Sequence, residues 1–214
     1  MKKVIIYVEG IFDKLVLEML FNDLITHKTS VGVFISIHEA PKGDKKKSVL
    51  LKVPIKAADI LAQNSHDVVV AIPDLYPLNK GFPHTSFSEL ESGIRKAFIK
   101  RLETKNVKNI NTLNNRFKVF CFKYDMEVLL LAAENELINY LKASRFRKTW
   151  TKPVEDQNGN EPPKRIVEKL FLEHQQTYND RIDATGVLDG VQPELLASEC
   201  LECFDPFVKF LKSI

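Results

Sequence analysis

The chain has 214 residues and a formal net charge of +3 at pH 7, with 44% hydrophobic and 28% charged residues. This is ordinary globular composition, which excludes a largely disordered chain and leaves room for a sizeable core. No apolar run approaches the roughly 20 residues that a membrane-spanning helix needs. Because the net charge is small, nucleic-acid binding would have to come from local basic patches.

The first predicted element is a strand over residues 4–8, whose sequence VIIYV is apolar throughout. Such continuous apolar runs are typical of strands buried on both faces of a parallel sheet. The run meets Glu9 at once, which makes it too short for the apolar core of a signal peptide. We therefore expect a strand here and a cytoplasmic protein.

Further apolar runs alternate with helical patterns as the chain continues. The predicted strands cover residues 4–8, 31–37, 67–72 and 117–122. The predicted helices cover residues 13–26, 48–63, 85–102 and 125–142, with further helical segments near 164–177 and 193–212. Asp13 is a candidate cap for the first helix, and Pro54 requires either a kink in the second helix or a start just before it.

This alternation predicts an α/β fold with a mostly parallel sheet flanked by helices. We expect one domain over residues 1–142 and a helical C-terminal extension over residues 143–214 that packs on it. Cys200 and Cys203 have C-x-x-C spacing, but the chain has only three cysteines. Without a second pair, we interpret them as two thiols of a C-terminal helical segment.

Acidic residues follow three of the four predicted strands: Glu9 after the first, Asp74 after the third, and Asp125 and Glu127 after the fourth. Ligands of open α/β sheets bind at the carboxyl ends of the strands. Carboxylates gathered there would repel one another, and a hard cation such as Mg²⁺ removes that cost. If the strands are adjacent, the pattern predicts a metal site.

Each of these acids also has an ordinary structural interpretation. Glu9 lies directly before a glycine and fits a solvated turn, and Asp74 lies between prolines and fits a simple turn former. Asp125 and Glu127 fit acids that interact with a helix N-terminus. The metal-site hypothesis requires that Glu9, Asp74 and Glu127 converge on one point and are not ion-paired away inside the protein.

Two basic segments are candidate nucleic-acid contacts. One includes Lys45 and Lys46; in the other, Arg145, Arg147 and Lys148 alternate with aromatic residues. Interleaved aromatic rings can stack on unpaired bases. The alternatives are a solubilising loop for the first segment and a cluster of cations at a helix end for the second.

Several blocks together resemble the Toprim family. The Glu9-Gly10 pair after an apolar strand is similar to the first Toprim motif, and Asp74 stands at the second, where Tyr76 replaces the usual second aspartate. The chain is similar in particular to a bacterial family of Toprim-like domains of unknown function. The blocks that carry this likeness are Asp74–Leu78, Gly81–Pro83, Tyr124–Leu130, Pro162–Ile166 and, loosely, Cys203–Phe207.

The resemblance implies a Toprim-like fold and Mg²⁺- or Mn²⁺-dependent phosphodiester chemistry, as in OLD-type nucleases. In that chemistry Glu9, Asp74 and Glu127 hold the metal, Asp125 compensates for the missing aspartate, and Glu9 is alternatively the general base. Lys164 or Arg165 would neutralise charge on the phosphate, with Arg165 also a candidate nucleic-acid contact, unless the two are only a solvated helix start. The resemblance also implies an ABC- or SMC-type ATPase partner and a role in anti-phage defence, with a homodimer left open.

The rival hypothesis is a non-catalytic interaction module of an ATPase complex. The missing second Toprim aspartate favours it. On this hypothesis, the apolar helix 125–142 and the aromatic side chains of Phe204, Phe207 and Phe210 form a surface for the partner.

Overall fold

The computed structural model describes residues 1–147 and 149–214. Division by contacts gives two units. Unit 1 comprises residues 1–14 and 23–121, and unit 2 comprises residues 15–22 and 122–214. The predicted boundary at residue 142 stays a prediction, and the division by contacts falls earlier in the chain.

Unit 1 is built on a four-stranded parallel sheet in the order β2-β1-β3-β4. The strands are β1 (Lys2–Val8), β2 (Val33–Glu39), β3 (Val68–Ile72) and β4 (Phe117–Val119). The five residues of β3 are all buried, as expected for a central parallel strand between helical layers. The prediction of an α/β fold with a parallel sheet flanked by helices is therefore confirmed.

The helices around this sheet come from the segments between the strands. They are α1 (Ile11–Leu20), α2 (Asn22–Ser30), α3 (Lys45–Gln63), α4 (Phe87–Thr104) and α5 (Ile110–Arg116). The first turn of α1 belongs to unit 1 and the rest of it to unit 2. The sequence predicted α1 and α2 as one helix and missed α5, which is short and weakly periodic.

Side-chain caps fix where two of these helices begin. The Asp44 carboxylate accepts a hydrogen bond from the Lys47 backbone N–H at 2.9 Å, so α3 begins at Lys45 and runs through Pro54. A helix start just before the proline is therefore wrong. Ser86 caps α4, because its side-chain oxygen accepts a hydrogen bond from the Glu89 backbone N–H. Asp13 is not a cap, since it lies inside the first turn of α1.

Unit 2 is helical, and its elements after residue 121 are α6 (Val128–Ala132), α7 (Glu134–Tyr140), a 3₁₀ turn (Val154–Asp156), α8 (Pro163–Glu173), α9 (Asp183–Leu188), α10 (Pro193–Glu199) and α11 (Phe204–Ser213). The helical C-terminal region is thus as predicted, but it is more divided. The predicted helix 125–142 breaks at Ala133, whose backbone ψ of 49° is not helical. The predicted helix near 193–212 breaks between Cys200 and Cys203.

An aromatic cluster forms the core of unit 2. The ring of Phe21 lies 6.0 Å from that of Phe204 and 5.6 Å from that of Phe207 between centroids. Phe204 and Phe207 are 1% and 2% exposed, so the prediction that they present a partner surface is wrong. Leu129 and Leu130 of α6 are also fully buried. These apolar side chains therefore belong to the core of unit 2.

No helix among the described residues is long and apolar enough to cross a membrane.

Candidate functional site

The best-defined acidic site of unit 1 lies where β1 and β3 end. These two strands are neighbours at the centre of the sheet, and Val8 of β1 is paired with Ile72 of β3. Glu9 and Asp74 therefore leave the sheet at the same level of its carboxyl edge. The chain passes from β1 to β2 on one side and on to β3 on the other, so this is the switch point of the topology, where open α/β sheets bind ligands.

One hydrogen bond joins the two acidic residues. The Asp74 backbone N–H donates to Glu9 Oε1 at 3.0 Å. The Glu9 side chain therefore fixes the start of the loop that follows β3. The sequence left open whether the first and third strands are neighbours, and in unit 1 they are, which brings Glu9 and Asp74 together.

A buried lysine lies beside this pair. Lys46, in the first turn of α3, is only 4% exposed. Its Nζ donates to the carbonyl oxygens of Leu75 at 2.9 Å and Pro77 at 2.6 Å. The structure thus places Lys46 inside the acidic site, where it holds the loop that carries Asp74, rather than on an open basic surface.

Burial raises the pKa of Glu9 to about 7. The Asp74 backbone N–H and the charge of Lys46 lower the pKa of Glu9, while the charges of Asp13 and Asp44 raise it. Burial wins because the protein interior solvates a carboxylate poorly. In return, burial lowers the pKa of Lys46, although the nearby charges of Glu9 and Asp74 oppose that shift. The site therefore gains from additional positive charge near Glu9.

Gly10 leaves room for the side chain of Lys45 beside this site. A Cβ atom at Gly10 would lie 3.0 Å from Lys45 Nζ, so the ammonium group of Lys45 lies directly over this glycine. The Gly10 N–H donates to the Asp13 carboxylate at 2.9 Å. Lys45 is exposed, so its ammonium group lies at the rim of the acidic site. Its role as a nucleic-acid contact stays a prediction.

A second acidic cluster lies within unit 2. Glu127, directly before α6, is 2% exposed, and its Oε1 lies 3.3 Å from Lys164 Nζ. Tyr178 donates its hydroxyl to the same oxygen at 3.4 Å. Lys164 Nζ also lies 3.3 Å from the Asp180 carboxylate, and the Lys164 backbone N–H donates to Asp125 Oδ1 at 3.1 Å.

The electrostatics of this cluster differ from those of the first. Burial lowers the pKa of Lys164, but the carboxylates of Glu127 and Asp180 outweigh it, so that the net shift is upward. Burial and the charge of Glu127 raise the pKa of Tyr178. Lys164 therefore stays charged and compensates Glu127, so a metal ion bound by Glu127 would have to compete with this ion pair.

The structure brings together some of the predicted residues within each unit. Glu9 and Asp74 meet in unit 1, whereas Asp125, Glu127 and Lys164 meet in unit 2. Convergence of all the predicted carboxylates on one metal stays a prediction. Within the described residues, no group of three or more His, Cys, Asp or Glu side chains is arranged to hold a metal ion.

The predicted basic contacts fall into different settings. Arg145 and Arg147 are exposed, as is Arg165, whose Nη1 donates to the Asn160 carbonyl oxygen at 3.1 Å. Lys148 lies outside the described residues. Tyr178 was missed by the sequence reasoning, because it lies in a connecting segment that has no periodic pattern.

The cysteines do not form a helical pair. Cys200 is buried and Cys203 is partly exposed, and both are free thiols. Burial raises the pKa of Cys200, which makes its thiol unreactive near neutral pH. The buried carboxylate of Glu155 instead fixes this turn, accepting hydrogen bonds from the backbone N–H groups of Glu202 and Cys203 at 2.8 Å each.

Fold and sites together define an α/β protein with a parallel sheet and an acidic switch-point site. The family described as "Domain of unknown function (DUF4276)" matches residues 8–212, nearly the whole chain. The chain belongs to this family. No curated protein and no solved structure matches it.

Proposed function

We propose that the protein is a Mg²⁺- or Mn²⁺-dependent nuclease of Toprim type, which hydrolyses phosphodiester bonds at the acidic site of unit 1. The observation that carries this proposal is the meeting of Glu9 and Asp74 at the switch point of the sheet. The reaction class, hydrolysis of phosphodiester bonds, is inferred from the resemblance of the sequence motifs to the Toprim family.

The donor set fits a hard cation. Glu9 and Asp74 supply carboxylate oxygens, which Mg²⁺ prefers, and the raised pKa of Glu9 reflects a negative charge that lacks sufficient solvation. A divalent ion held by Glu9 and Asp74 would remove that cost. Bound there, it would supply electrophilic stabilisation of the phosphate and an acidified water molecule.

The chain's own groups have separate tasks in this proposal. With a pKa of about 7, Glu9 is also matched to proton transfer near neutral pH, so the alternative role of general base stays open. Lys46 positions the loop that carries Asp74 through the carbonyl groups of Leu75 and Pro77. Lys45, at the rim, would attract the phosphate backbone.

Tyr76 stands where Toprim domains carry a second aspartate, and Glu127 is ion-paired in unit 2. The proposal for Glu127 and Asp125 as metal ligands, with Lys164 on the phosphate, therefore requires the Lys164–Glu127 pair to open. Without that opening, the metal would be held by Glu9 and Asp74. An ATPase partner and a role in anti-phage defence remain part of the proposal through the family likeness alone.

The Lys164–Glu127 pair also favours a second candidate, the non-catalytic module of an ATPase complex. A carboxylate that is 2% exposed and compensated by an internal lysine is a stable structural element. In that case the acidic residues would maintain the fold and would bind no metal.

Mutation of the switch-point pair tests the nuclease. We expect purified wild-type protein to cleave labelled single-stranded DNA or RNA in Mn²⁺, and Glu9→Gln or Asp74→Asn to reduce cleavage at least ~100-fold, as for loss of a catalytic group. Asp67→Asn is the matched control: Asp67 precedes β3 at the opposite edge, and its Oδ1 accepts from the Lys3 N–H. An asparagine keeps that acceptor.

Melting temperatures separate the two candidates. Metal that binds the folded state raises the melting temperature by mass action, so Mn²⁺ should stabilise the wild type and Asp67→Asn but not Asp74→Asn. Full cleavage activity in Glu9→Gln and Asp74→Asn would refute the site. Absence of both cleavage and metal stabilisation in the wild type would favour the interaction module.

A further inference from the structure

Unit 2 carries a polar cleft that is separate from its acidic cluster. The cleft has a volume of ≈ 440 Å³ and is lined by Ser144, Arg145, Arg147, Glu173 and His174. It lies between the segment that follows α7 and the C-terminal end of α8. Its lining combines two cationic side chains with one carboxylate, a hydroxyl group and an imidazole ring.

Two guanidinium groups dominate the charge of the cleft. Arg145 and Arg147 are both exposed, and within the described residues neither is engaged in a hydrogen bond or an ion pair. Glu173 adds one opposing carboxylate. Arginine is the side chain best suited to phosphate, since its planar fork of donors matches two phosphate oxygens. The cleft therefore favours a phosphodiester.

Aromatic rings lie beside these cations. Phe146, between the two arginines in sequence, has its ring centroid 6.0 Å from that of His174 and 5.8 Å from that of Trp150. His174 Nδ1 lies 2.8 Å from the Leu170 carbonyl oxygen. Because a carbonyl only accepts, Nδ1 carries the hydrogen, which fixes the orientation of the imidazole ring.

We propose that this cleft binds a single-stranded segment of nucleic acid. Arg145 and Arg147 hold phosphate groups, the imidazole ring of His174, which lines the cleft and is backed by Phe146, stacks on an unpaired base, and Glu173 accepts hydrogen bonds from a base amino group. Recognition of unpaired bases by aromatic stacking next to basic side chains is the usual mode for single strands. The inference rests on the proposed function in one respect: the bound single strand of nucleic acid is taken to be the substrate of the nuclease.

Equilibrium binding without divalent metal tests the cleft apart from catalysis. We expect a labelled single-stranded oligonucleotide to bind the wild type in EDTA by fluorescence anisotropy. The double variant R145A/R147A should bind at least ~10-fold more weakly, and the slope of log affinity against log salt should fall by about 1.4, which is about 0.7 for each lost phosphate contact on a single strand. His174→Ala should weaken binding about 10-fold through lost stacking.

Arg181→Ala is the matched control, since it removes the same charge from an exposed position of unit 2 outside the cleft. Its affinity should equal that of the wild type. Trp150 is the single tryptophan of the chain, so its fluorescence should change on titration with the oligonucleotide, and the midpoint of that change should move to at least ~10-fold higher concentration in R145A/R147A. Circular dichroism melting establishes that each variant is folded.

Equal affinity of R145A/R147A and the wild type would overturn the proposal, and so would equal losses in R145A/R147A and Arg181→Ala. Binding of a duplex as tight as that of a single strand would overturn the stacking role of His174. Binding in EDTA without any cleavage in Mn²⁺ would leave the cleft in place and defeat the nuclease. Cleavage in Mn²⁺ that does not depend on Arg145 and Arg147 would support the nuclease and would overturn the cleft as the binding site of its substrate.

Discussion

Each unit brings a lysine to a buried or half-buried carboxylate, but the two lysines act differently. In unit 1, Lys46 donates to backbone carbonyl groups, and the pKa of Glu9 stays raised, at about 7. In unit 2, Lys164 lies 3.3 Å from the Glu127 carboxylate and compensates its charge. An added cation would therefore stabilise the carboxylate of Glu9 more than that of Glu127, whose charge Lys164 already compensates.

This difference assigns separate roles to residues that look equivalent in sequence. Glu9 and Glu127 both follow a predicted strand, and both were predicted to be metal ligands. The raised pKa of Glu9 shows that its negative charge is poorly compensated, so a bound cation would stabilise it. Glu127 has those of a structural ion pair, so its part in metal binding depends on release of Lys164.

The largest expected loss of stability comes from breaking the ion pair of unit 2. Lys164→Met leaves the carboxylate of Glu127 buried without its cation, and we expect the free energy of unfolding to fall by about 3 kcal/mol, the lower end for breaking a buried pair because Lys164 is partly exposed. Chemical denaturation measures the loss. Adding Glu127→Gln to Lys164→Met removes the uncompensated charge and should recover most of it. If Lys164→Met has wild-type stability, the pair does not compensate Glu127.

A smaller effect is expected in unit 1. Lys46→Met leaves the carbonyl oxygens of Leu75 and Pro77 without their buried donor, which should lower the free energy of unfolding by about 2 kcal/mol. Lys47→Met is the control, because Lys47 is the exposed next residue of α3, and its loss should cost less than about 0.5 kcal/mol. Equal losses in both variants would contradict the anchoring role of Lys46.

The smallest expected effect is a pH dependence of the free energy of unfolding, which arises from the titration of Glu9. Its pKa is raised from 4.5 to about 7 in the folded protein, so the folded state binds the proton more tightly than the unfolded state. The stabilisation by this proton is complete below pH 4.5 and is lost as the pH rises to about 7.

The stability of Glu9→Gln relative to the wild type should therefore increase across that window, by on the order of 1 kcal/mol after solvent screening of this partly exposed group. Denaturation curves at several pH values measure the difference. Saturating Mg²⁺ should reverse the wild-type trend if Glu9 binds the metal. A difference that is constant with pH would show that the pKa of Glu9 is not raised.

The sequence determined the parallel sheet and its central acids. Continuous apolar runs of strand length separated by helical patterns leave few alternatives to a parallel α/β fold, and Glu9 and Asp74 follow directly from where β1 and β3 end. Periodicity failed where tertiary packing interrupts a helix, as at Phe21 and Ala133. Those residues are buried, and local sequence does not indicate a break at either.

Only the tertiary structure decided which charges meet. Lys46 appears in the sequence as one member of a lysine run, but the fold buries it under the loop that carries Asp74. Tyr178 and Asp180 reach the Lys164–Glu127 pair from a connecting segment that has no pattern. Hydrophobic periodicity specifies which face of an element is buried, whereas pairing of polar groups depends on contacts between residues far apart in the chain.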